Sequence, residues 1–391
     1  MQLYQHQIDS ISLIKDKDSF LLAHDMGTGK SLTALSSSLS FDKVLIVCPS
    51  FLIFNWINEI NKFYPEHAAK FKVKSYSSLY KDNSLDYKVI IADECQYLKN
   101  LDAQRTQIFI DKLEKINPIK LILLSGTPIK NRVTEFYTLI GMLYRNNNIF
   151  KKRFSNYYSF CNHFANKREF FIGNRKIIKY EGHRNIDDLR ALLKPVYHRV
   201  KLNEVVDLPE KVVIPINIKT ESNDKELLEE FTKFESMRVN CFTTYKRESA
   251  LYKVPLTVDF VKNIPHSPIL IFTDHLESAN NLASLLNCSV ITGDTPIQDR
   301  SEIFFNFQKG KLPYLVGTIG TCSTGVNLTA AHIVVFNDFS WCPSDLQQAE
   351  ARVYRIGQKE KCLIYYMLGS KADAYIYKTI KKKSDLISKI V

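Results

Sequence analysis

The stretch Phe20-Leu21-Leu22-Ala23-His24-Asp25-Met26-Gly27-Thr28-Gly29-Lys30-Ser31 decides the fold. A strand-sized apolar run enters a glycine-punctuated loop, and a helix-like stretch over 31–39 follows. Glycines let successive backbone N–H groups turn inward on phosphate oxygens, and the N-terminus of the next helix adds favourable partial charge. In such a loop Gly27, Thr28 and Gly29 form the cradle for ATP, Lys30 reaches its outer phosphates, and Ser31 offers a hydroxyl to Mg2+. The strict pattern has Gly where this chain has His24, so the loop taken alone also fits an ordinary glycine turn.

Outward from this loop, the succession of apolar run, polar turn and helix-like stretch recurs. Runs at 20–23, 44–48, 88–92 and 120–124 make one set, and runs at 269–272, 289–292, 314–317, 332–336 and 363–367 make a second. Continuous apolar runs without alternation are the mark of parallel strands covered by helices on both faces. The pattern predicts an α/β protein with two doubly wound parallel-sheet lobes, 1–145 and 266–391, separated by a mainly helical insert over 146–265.

The insert is also where the charge lies. The 391 residues carry 53 Lys and Arg against 41 Asp and Glu, a net of +12; residues 145–201 hold fourteen Lys and Arg against four acids, a net of +10. Phe150, Phe154, Tyr157, Tyr158, Phe160 and Phe164 are interleaved with these cations, and Phe170, Phe171, Tyr180 and Tyr197 follow. Cations among aromatics suit phosphate contact and base stacking, with Arg145, Lys151, Lys152, Arg153, Lys167 and Arg168 as the candidate DNA contacts. The alternative is a small subdomain whose aromatics form its own core. Lys378, Lys381, Lys382, Lys383 and Lys389 are read as a solvated helix face.

Hydrophobic residues at 45% and charged residues at 24% match globular chains and exclude disordered, collagenous and coiled-coil classes. No apolar run reaches the roughly 18 residues of a membrane span, so no membrane partner is expected. The start MQLYQHQIDS lacks the basic and apolar regions of a secretory signal. Eight cysteines are scattered without a C-x-x-C pair, which gives neither zinc spacing nor a disulfide framework, and reduced thiols in the cytoplasm are expected.

Three further stretches carry chemistry. Asp93-Glu94 closes the apolar run 89–92, where Asp93 can hold Mg2+ and Glu94 can orient and deprotonate an attacking water, or the pair merely caps the next helix. Ser125-Gly126-Thr127-Pro128 follows the run 121–124 and alone says only turn. Within Gln348-Ala349-Glu350-Ala351-Arg352-Val353-Tyr354-Arg355, two arginines three apart share a face if helical; they can neutralise charge on the γ-phosphate or serve surface salt bridges.

Taken in order, these pieces resemble the superfamily 2 helicases, specifically the Swi/Snf-type ATPases, over nearly the whole chain. Gln7, with Leu3 four before it, looks like the adenine-reading glutamine; 23–31 resembles motif I; Pro49-Ser50 with Trp56 and Glu59, motif Ia; Asp93-Glu94-Cys95-Gln96, motif II; and 125–128 with Asn131, motif III. Arg199-Val200-Lys201 through Leu208-Pro209-Glu210-Lys211 resembles the block before the second lobe, and 269–272 resembles motif IV. Gly325-Val326-Asn327-Leu328, Asp338, Trp341, Pro343 and the closing Arg355-Ile356-Gly357-Gln358 are the most specific matches.

The resemblance implies two RecA-like lobes with ATP and Mg2+ between them, Lys30, Glu94, Arg352 and Arg355 in catalysis, and Gln96, Ser125, Thr127 and Gln348 in coupling. It implies ATP hydrolysis coupled to movement on duplex or branched DNA, with RNA the second choice of track. A protein partner for targeting and a role as motor subunit of a nuclease or restriction assembly are the alternatives, with an ATP-gated DNA-binding scaffold the non-enzymatic one. A minimal motor of phage, viral or bacterial kind is expected. This chain departs from the pattern at His24, Gln96, Cys342, Ala351 and Tyr354, none of which removes a catalytic residue.

Overall fold

The computed structural model describes residues 3–172, 175–218, 240–265, 267–322 and 326–390. It divides into two units, Met1–Val205 with Asp385–Val391, and Val206–Ser384.

The first unit is built on β1 (Ser19–Leu22), β2 (Val44–Cys48), β3 (Phe71–Ser75), β4 (Val89–Ala92) and β5 (Lys120–Leu124), followed by the hairpin β6 (Asn166–Ile172) and β7 (Arg175–Glu181) and the short β8 (Tyr197–His198). The sheet order is β3-β2-β4-β5-β1-β8, all parallel. Strands β1, β2, β4 and β5 are buried at every position. Their alternate residues enter different cores: Leu21, Val47, Ile90 and Leu123 on one face, Phe20, Ile46, Ile91 and Leu124 on the other.

Two polar side chains brace this sheet from its N-terminal edge. Lys120 on β5 is buried, and its amine donates to the carbonyls of Ile14 (2.6 Å), Lys15 (3.1 Å) and Lys17 (2.7 Å), at and just after the end of helix Gln5–Lys15. Arg145 donates to Ser19 Oγ (3.2 Å), Asn117 Oδ1 (3.3 Å) and the Pro118 carbonyl (2.7 Å).

The second unit repeats the plan with β9 (Lys211–Asn217), β10 (Ile269–Thr273), β11 (Ser289–Ile291), β12 (Tyr314–Thr318), β13 (Ile333–Phe336) and β14 (Cys362–Leu368), ordered β11-β12-β10-β13-β14-β9 and parallel throughout. Two cores again flank the sheet, with Phe272, Val334 and Ile364 on one side and Ile271, Val335 and Met367 on the other. The two doubly wound lobes expected from the apolar runs are both present.

The stretch 146–265 does not form a body of its own: the division falls at 205/206, with β8 joining the first sheet and β9 the second. Strand β8 is only two residues long, and β9, although it reads Val-Val-Ile-Pro-Ile over 212–216, contains a proline that argues against a central strand. Along β9 every second residue is exposed, and Pro215, which has no N–H to give, is tolerated at a sheet edge. Strand β3, with Lys72 and Lys74, escapes the apolar pattern for the same reason. The stretch is helical over Ile149–Arg153, Tyr157–Phe164, Ile186–Leu193 and Asn240–Lys262, but it also holds the hairpin.

Candidate nucleotide site

Strand β1 delivers the chain into the loop 23–29, which opens the helix Lys30–Ser36. Gly27 (φ +84°) and Gly29 (φ +81°) adopt the left-handed conformation that other residues resist. A Cβ at Gly29 would lie 2.4 Å from Gln7 Nε2, so glycine is demanded twice over. The start of helix Gln5–Lys15 grips this loop: Gln7 Nε2 donates to the Gly29 carbonyl (3.2 Å), its Oε1 accepts from Tyr4 N (2.9 Å), and His6 Nε2 lies 2.8 Å from the Thr28 carbonyl. The amine of Lys30 donates to the carbonyls of His24 (2.8 Å) and Asp25 (3.0 Å). Burial lowers its pKa, against the opposing pull of the Glu94 and Asp93 carboxylates nearby.

Because β5 lies between β1 and β4, the residues that end these three parallel strands meet at one edge of the sheet, where doubly wound folds bind ligands. Asp93 is buried; Trp56 Nε1 donates to its Oδ2 (2.9 Å), Glu94 N to its Oδ1 (2.9 Å), and Tyr76 OH to its carbonyl (2.8 Å). Burial, then the neighbouring Glu94 carboxylate, holds Asp93 well above the usual carboxylate range. Glu94 sits at φ +50°, ψ +50°, a left-handed conformation costly for a residue with a side chain and characteristic of functional positions.

From Glu94 a chain of hydrogen bonds leads across the sheet edge. Gln96 Nε2 donates to Glu94 Oε2, Ser125 Oγ donates to Gln96 Oε1 (2.7 Å), and Thr127 N donates to Ser125 Oγ (3.0 Å). These are the three coupling residues that the sequence placed in the first lobe. Each amide or hydroxyl in the chain gives on one side and accepts on the other.

The donor set suits a hard cation shared with a nucleotide. Asp93 brings a buried carboxyl oxygen pair, and Ser31 brings a hydroxyl from the first turn of helix Lys30–Ser36. Among the described residues no three or more His, Cys, Asp or Glu gather as a group that could hold a metal ion.

His24 is absorbed by its surroundings. It is fully buried, with its Nε2 3.2 Å from His198 Nδ1 and 3.3 Å from Ser10 Oγ, and its ring edge-on to His198 at 5.1 Å. Burial, followed by the nearby Lys30 charge, pushes its pKa down to about 2, so it is neutral. The departure from the phosphate-loop pattern thus lies behind the loop and leaves its cradle intact.

In the second unit the helix Pro343–Glu350 stops short of both arginines. Turn bonds from Arg352 N to the Ala349 carbonyl and from Val353 N to the Glu350 carbonyl continue the chain. Arg352 and Arg355 nevertheless converge: Nη1 of each donates to the Val326 carbonyl, at 3.3 and 3.1 Å, and Arg352 Nε donates to the Gln348 carbonyl at 3.1 Å. Gln348 therefore enters through its backbone. Gly357, at φ +99°, turns the chain so that Gln358 Nε2 donates to the carbonyls of Ala331 (2.8 Å) and Val353 (3.2 Å). The closing glutamine of the Arg-Ile-Gly-Gln signature is a clasp. Gly325 lies outside the described residues, as does the side chain of Lys389.

The candidate DNA contacts separate into two kinds. Arg145 is a correction: its three hydrogen bonds make it a brace of the sheet, and burial lowers its pKa. Arg153 pairs with Asp188, Lys167 with Glu169 (2.6 Å) and Arg168 with Glu181 (3.4 Å), all near the surface, while Lys151 and Lys152 are exposed. Phe150, Phe154, Phe160 and Phe164 are buried and pack ring against ring, so they are core residues rather than stacking platforms, but the core is the one on a face of the first sheet and not a subdomain's own. Phe171 on the hairpin (71% exposed) and Tyr158 (62%) remain open to solvent.

Spacing gave no sign of the Trp56–Asp93 bond, which joins residues 37 apart, or of the arrangement of Ser10 and His198 behind the loop. The family block at 199–201 marked Arg199 without a role. Its guanidinium donates to the carbonyls of Ala23 (2.7 Å) and Gly126 (3.0 Å) and to Asp25 Oδ1 (2.6 Å).

The family described as SNF2-related domain matches residues 4–83 and 68–257, and the helicase conserved C-terminal domain matches residues 247–357. The chain is similar to the Bos taurus protein named DNA annealing helicase and endonuclease ZRANB3, at 26% identity over 94% of this chain and 38% of that one. It is also similar to a Caenorhabditis elegans homologue of SWI/SNF-related matrix-associated actin-dependent regulator of chromatin subfamily A-like protein 1, at 26% identity over 100% of this chain and 62% of the relative. The chain thus spans between about two fifths and three fifths of these relatives. Among solved structures, the Sulfolobus solfataricus SWI2/SNF2 ATPase core in complex with dsDNA aligns over 100% of this chain and 93% of its own, with a TM-score of 0.42 and 20% identity. The SNF2-related match alone covers well over half of the 391 residues, and the chain belongs to that family.

Proposed function

We propose that this protein is a DNA-dependent ATPase that couples ATP hydrolysis to movement along DNA and remodels duplex or branched DNA in replication, recombination or repair. The observation that carries this reading is the hydrogen-bonded chain Glu94–Gln96–Ser125–Thr127, beside a phosphate loop formed by two left-handed glycines. A nucleotide-binding fold needs no such chain, whereas an enzyme that times hydrolysis to a second event needs its water-activating carboxylate wired to something outside the phosphate site.

In this reading Gln7, Gly27, Thr28 and Gly29 hold ATP, Lys30 its outer phosphates, and Ser31 with Asp93 its Mg2+. Glu94 orients and deprotonates the attacking water. Arg352 and Arg355, drawn together on the Val326 carbonyl, are the second unit's contribution to turnover. The relatives, one of them named a DNA annealing helicase, favour DNA as the track. Lys151, Lys152, Lys167 and Arg168, with the exposed Phe171 and Tyr158, offer phosphate and stacking contacts. Work as the motor subunit of a larger nuclease or protein-displacing assembly is the second reading, favoured by the greater length of the relatives.

The deciding experiment measures ATP hydrolysis by the wild type and Lys30→Ala with single-stranded DNA, duplex, a fork, a four-way junction and RNA as stimulants. Turnover that DNA stimulates and Lys30→Ala abolishes is expected. Equal stimulation by duplex and branched DNA assigns displacement or remodelling on duplex, and a strong preference for the fork or junction assigns branch migration. RNA as the better stimulant would reassign the track, and no stimulation by any nucleic acid would refute the motor reading. Glu94→Gln should bind ATP and fail to hydrolyse it.

A further inference from the structure

The segment 197–202 runs beside the phosphate loop and is stitched to it by backbone bonds, Ala23 N to the His198 carbonyl (2.9 Å) and Asp25 N to the Val200 carbonyl (2.8 Å). Arg199, in the middle of this strap, reaches past the end of β1. Its Nη1 is shared between the Ala23 carbonyl, at the start of the phosphate loop, and the Gly126 carbonyl, in the loop after β5. Its Nη2 takes Asp25 Oδ1 at 2.6 Å, and the second oxygen of Asp25 accepts Leu202 N at 3.1 Å. One planar fork thus holds three acceptors on two loops, a task for which a lysine's single ammonium is poorly shaped. The two loops also approach closely by themselves: a Cβ on Gly126 would stand 3.2 Å from Met26 Cγ and 3.6 Å from the His24 carbonyl.

We infer that Arg199 and Asp25 are a positioning pair that presets the phosphate loop for nucleotide. The three acceptors bracket the functional stretch. Ala23 and Asp25 flank His24, whose carbonyl, like that of Asp25, receives the Lys30 amine. Gly126 lies between Ser125 and Thr127, the far end of the chain from Glu94. Fixing Ala23, Asp25 and Gly126 relative to one another therefore fixes the Lys30 anchor against the Ser125 anchor before any ligand arrives. Asp25, with both oxygens engaged, is committed to this clasp and unavailable to phosphate or metal. A preset loop spares the nucleotide the cost of ordering it, so loss of the pair falls on ATP affinity ahead of the chemical step.

This inference rests on the ATPase reading, and the test separates the two. In the full-length chain, Arg199→Lys, Arg199→Gln, Asp25→Asn and the double variant Asp25→Asn/Arg199→Gln are compared with wild type for ATP KM, kcat, affinity for a fluorescent ATP analogue, and thermal midpoint. The expected order of ATP KM is wild type, then Arg199→Lys, raised about fivefold, then Arg199→Gln, raised about twentyfold, with kcat changed less than KM. The double variant should be no worse than Arg199→Gln alone, because both changes break one unit. Lowered thermal midpoints with unchanged KM and analogue affinity would make Arg199 a fold brace and overturn the inference. Additive effects in the double variant would overturn the pairing. A wild type that neither binds nor hydrolyses ATP would overturn the ATPase reading itself, whereas a working wild type matched by Arg199→Gln sinks the inference alone.

Discussion

Ser125 Oγ donates to Gln96 Oε1 at 2.7 Å, and the other end of the same amide donates to Glu94. The amide of Gln96 thus stands between Glu94, the residue proposed to activate water, and the loop after β5. It cannot take up a proton, so it transmits by geometry alone.

Gln96→Ala should uncouple more than it inactivates. Glu94 keeps its backbone placement at the end of β4, so basal ATP turnover should fall about threefold while DNA stimulation falls by tenfold or more. The comparison of basal and DNA-stimulated rates decides it; equal losses in both would show that Gln96 serves only to hold Glu94.

Acid should weaken the first unit through His24. Its folded pKa is depressed to about 2 from 6.5, by burial and by Lys30, His198, His6 and Arg199 around it. The stability this group contributes is present above pH 6.5 and is lost as pH falls, because the unfolded chain takes up a proton that the folded one refuses. One such group costs about 1 kcal/mol between pH 6.5 and 5.5, and His198, also held low by burial, adds in the same direction. Thermal unfolding from pH 7.5 to 5.5 should show a shallower decline for His24→Asn than for wild type; parallel declines would remove His24 as the cause.

Lys120→Met keeps the length of the side chain and removes the ammonium that the carbonyls of residues 14, 15 and 17 share, and buries an apolar end against them. A loss of about 2 kcal/mol is expected. Denaturant unfolding followed by tryptophan fluorescence in a Trp341→Phe background, where Trp56 of the first unit is the remaining reporter, measures it. An unchanged midpoint would mean that water replaces the amine there at no cost.

The basic stretch should divide by mutation as it divides by structure. Lys151→Glu with Lys152→Glu should leave basal turnover near wild type, weaken DNA binding and reduce the salt dependence of that binding by about two charges. Arg145→Ala should lower the thermal midpoint with little change in that salt dependence, since its guanidinium is spent on Ser19, Asn117 and Pro118. The reverse pattern would restore Arg145 to the DNA surface.

What the amino-acid order determined by itself was everything that depends on local chemistry. The buried strands are legible because a strand covered on both faces must be apolar throughout, and the phosphate loop is legible because Gly27 and Gly29 alone tolerate its backbone turn. Edge strands β3 and β8 were illegible because half of an edge strand faces water, so nothing obliges it to be apolar, and β9 because Pro215 interrupts its apolar run 212–216. The aromatics of 150–171 could be read either as stacking platforms or as core, and only packing made Phe150, Phe154, Phe160 and Phe164 a core while leaving Tyr158 and Phe171 outside. The insertion of β5 between β1 and β4 likewise belongs to the tertiary fold. It carries Ser125 to Gln96, and the joining of β8 to β1 carries Arg199 to Ala23, Asp25 and Gly126. Hydrogen bonds between residues 29 to 176 positions apart depend on strand order, and strand order is set by which apolar faces bury best together rather than by any local pattern.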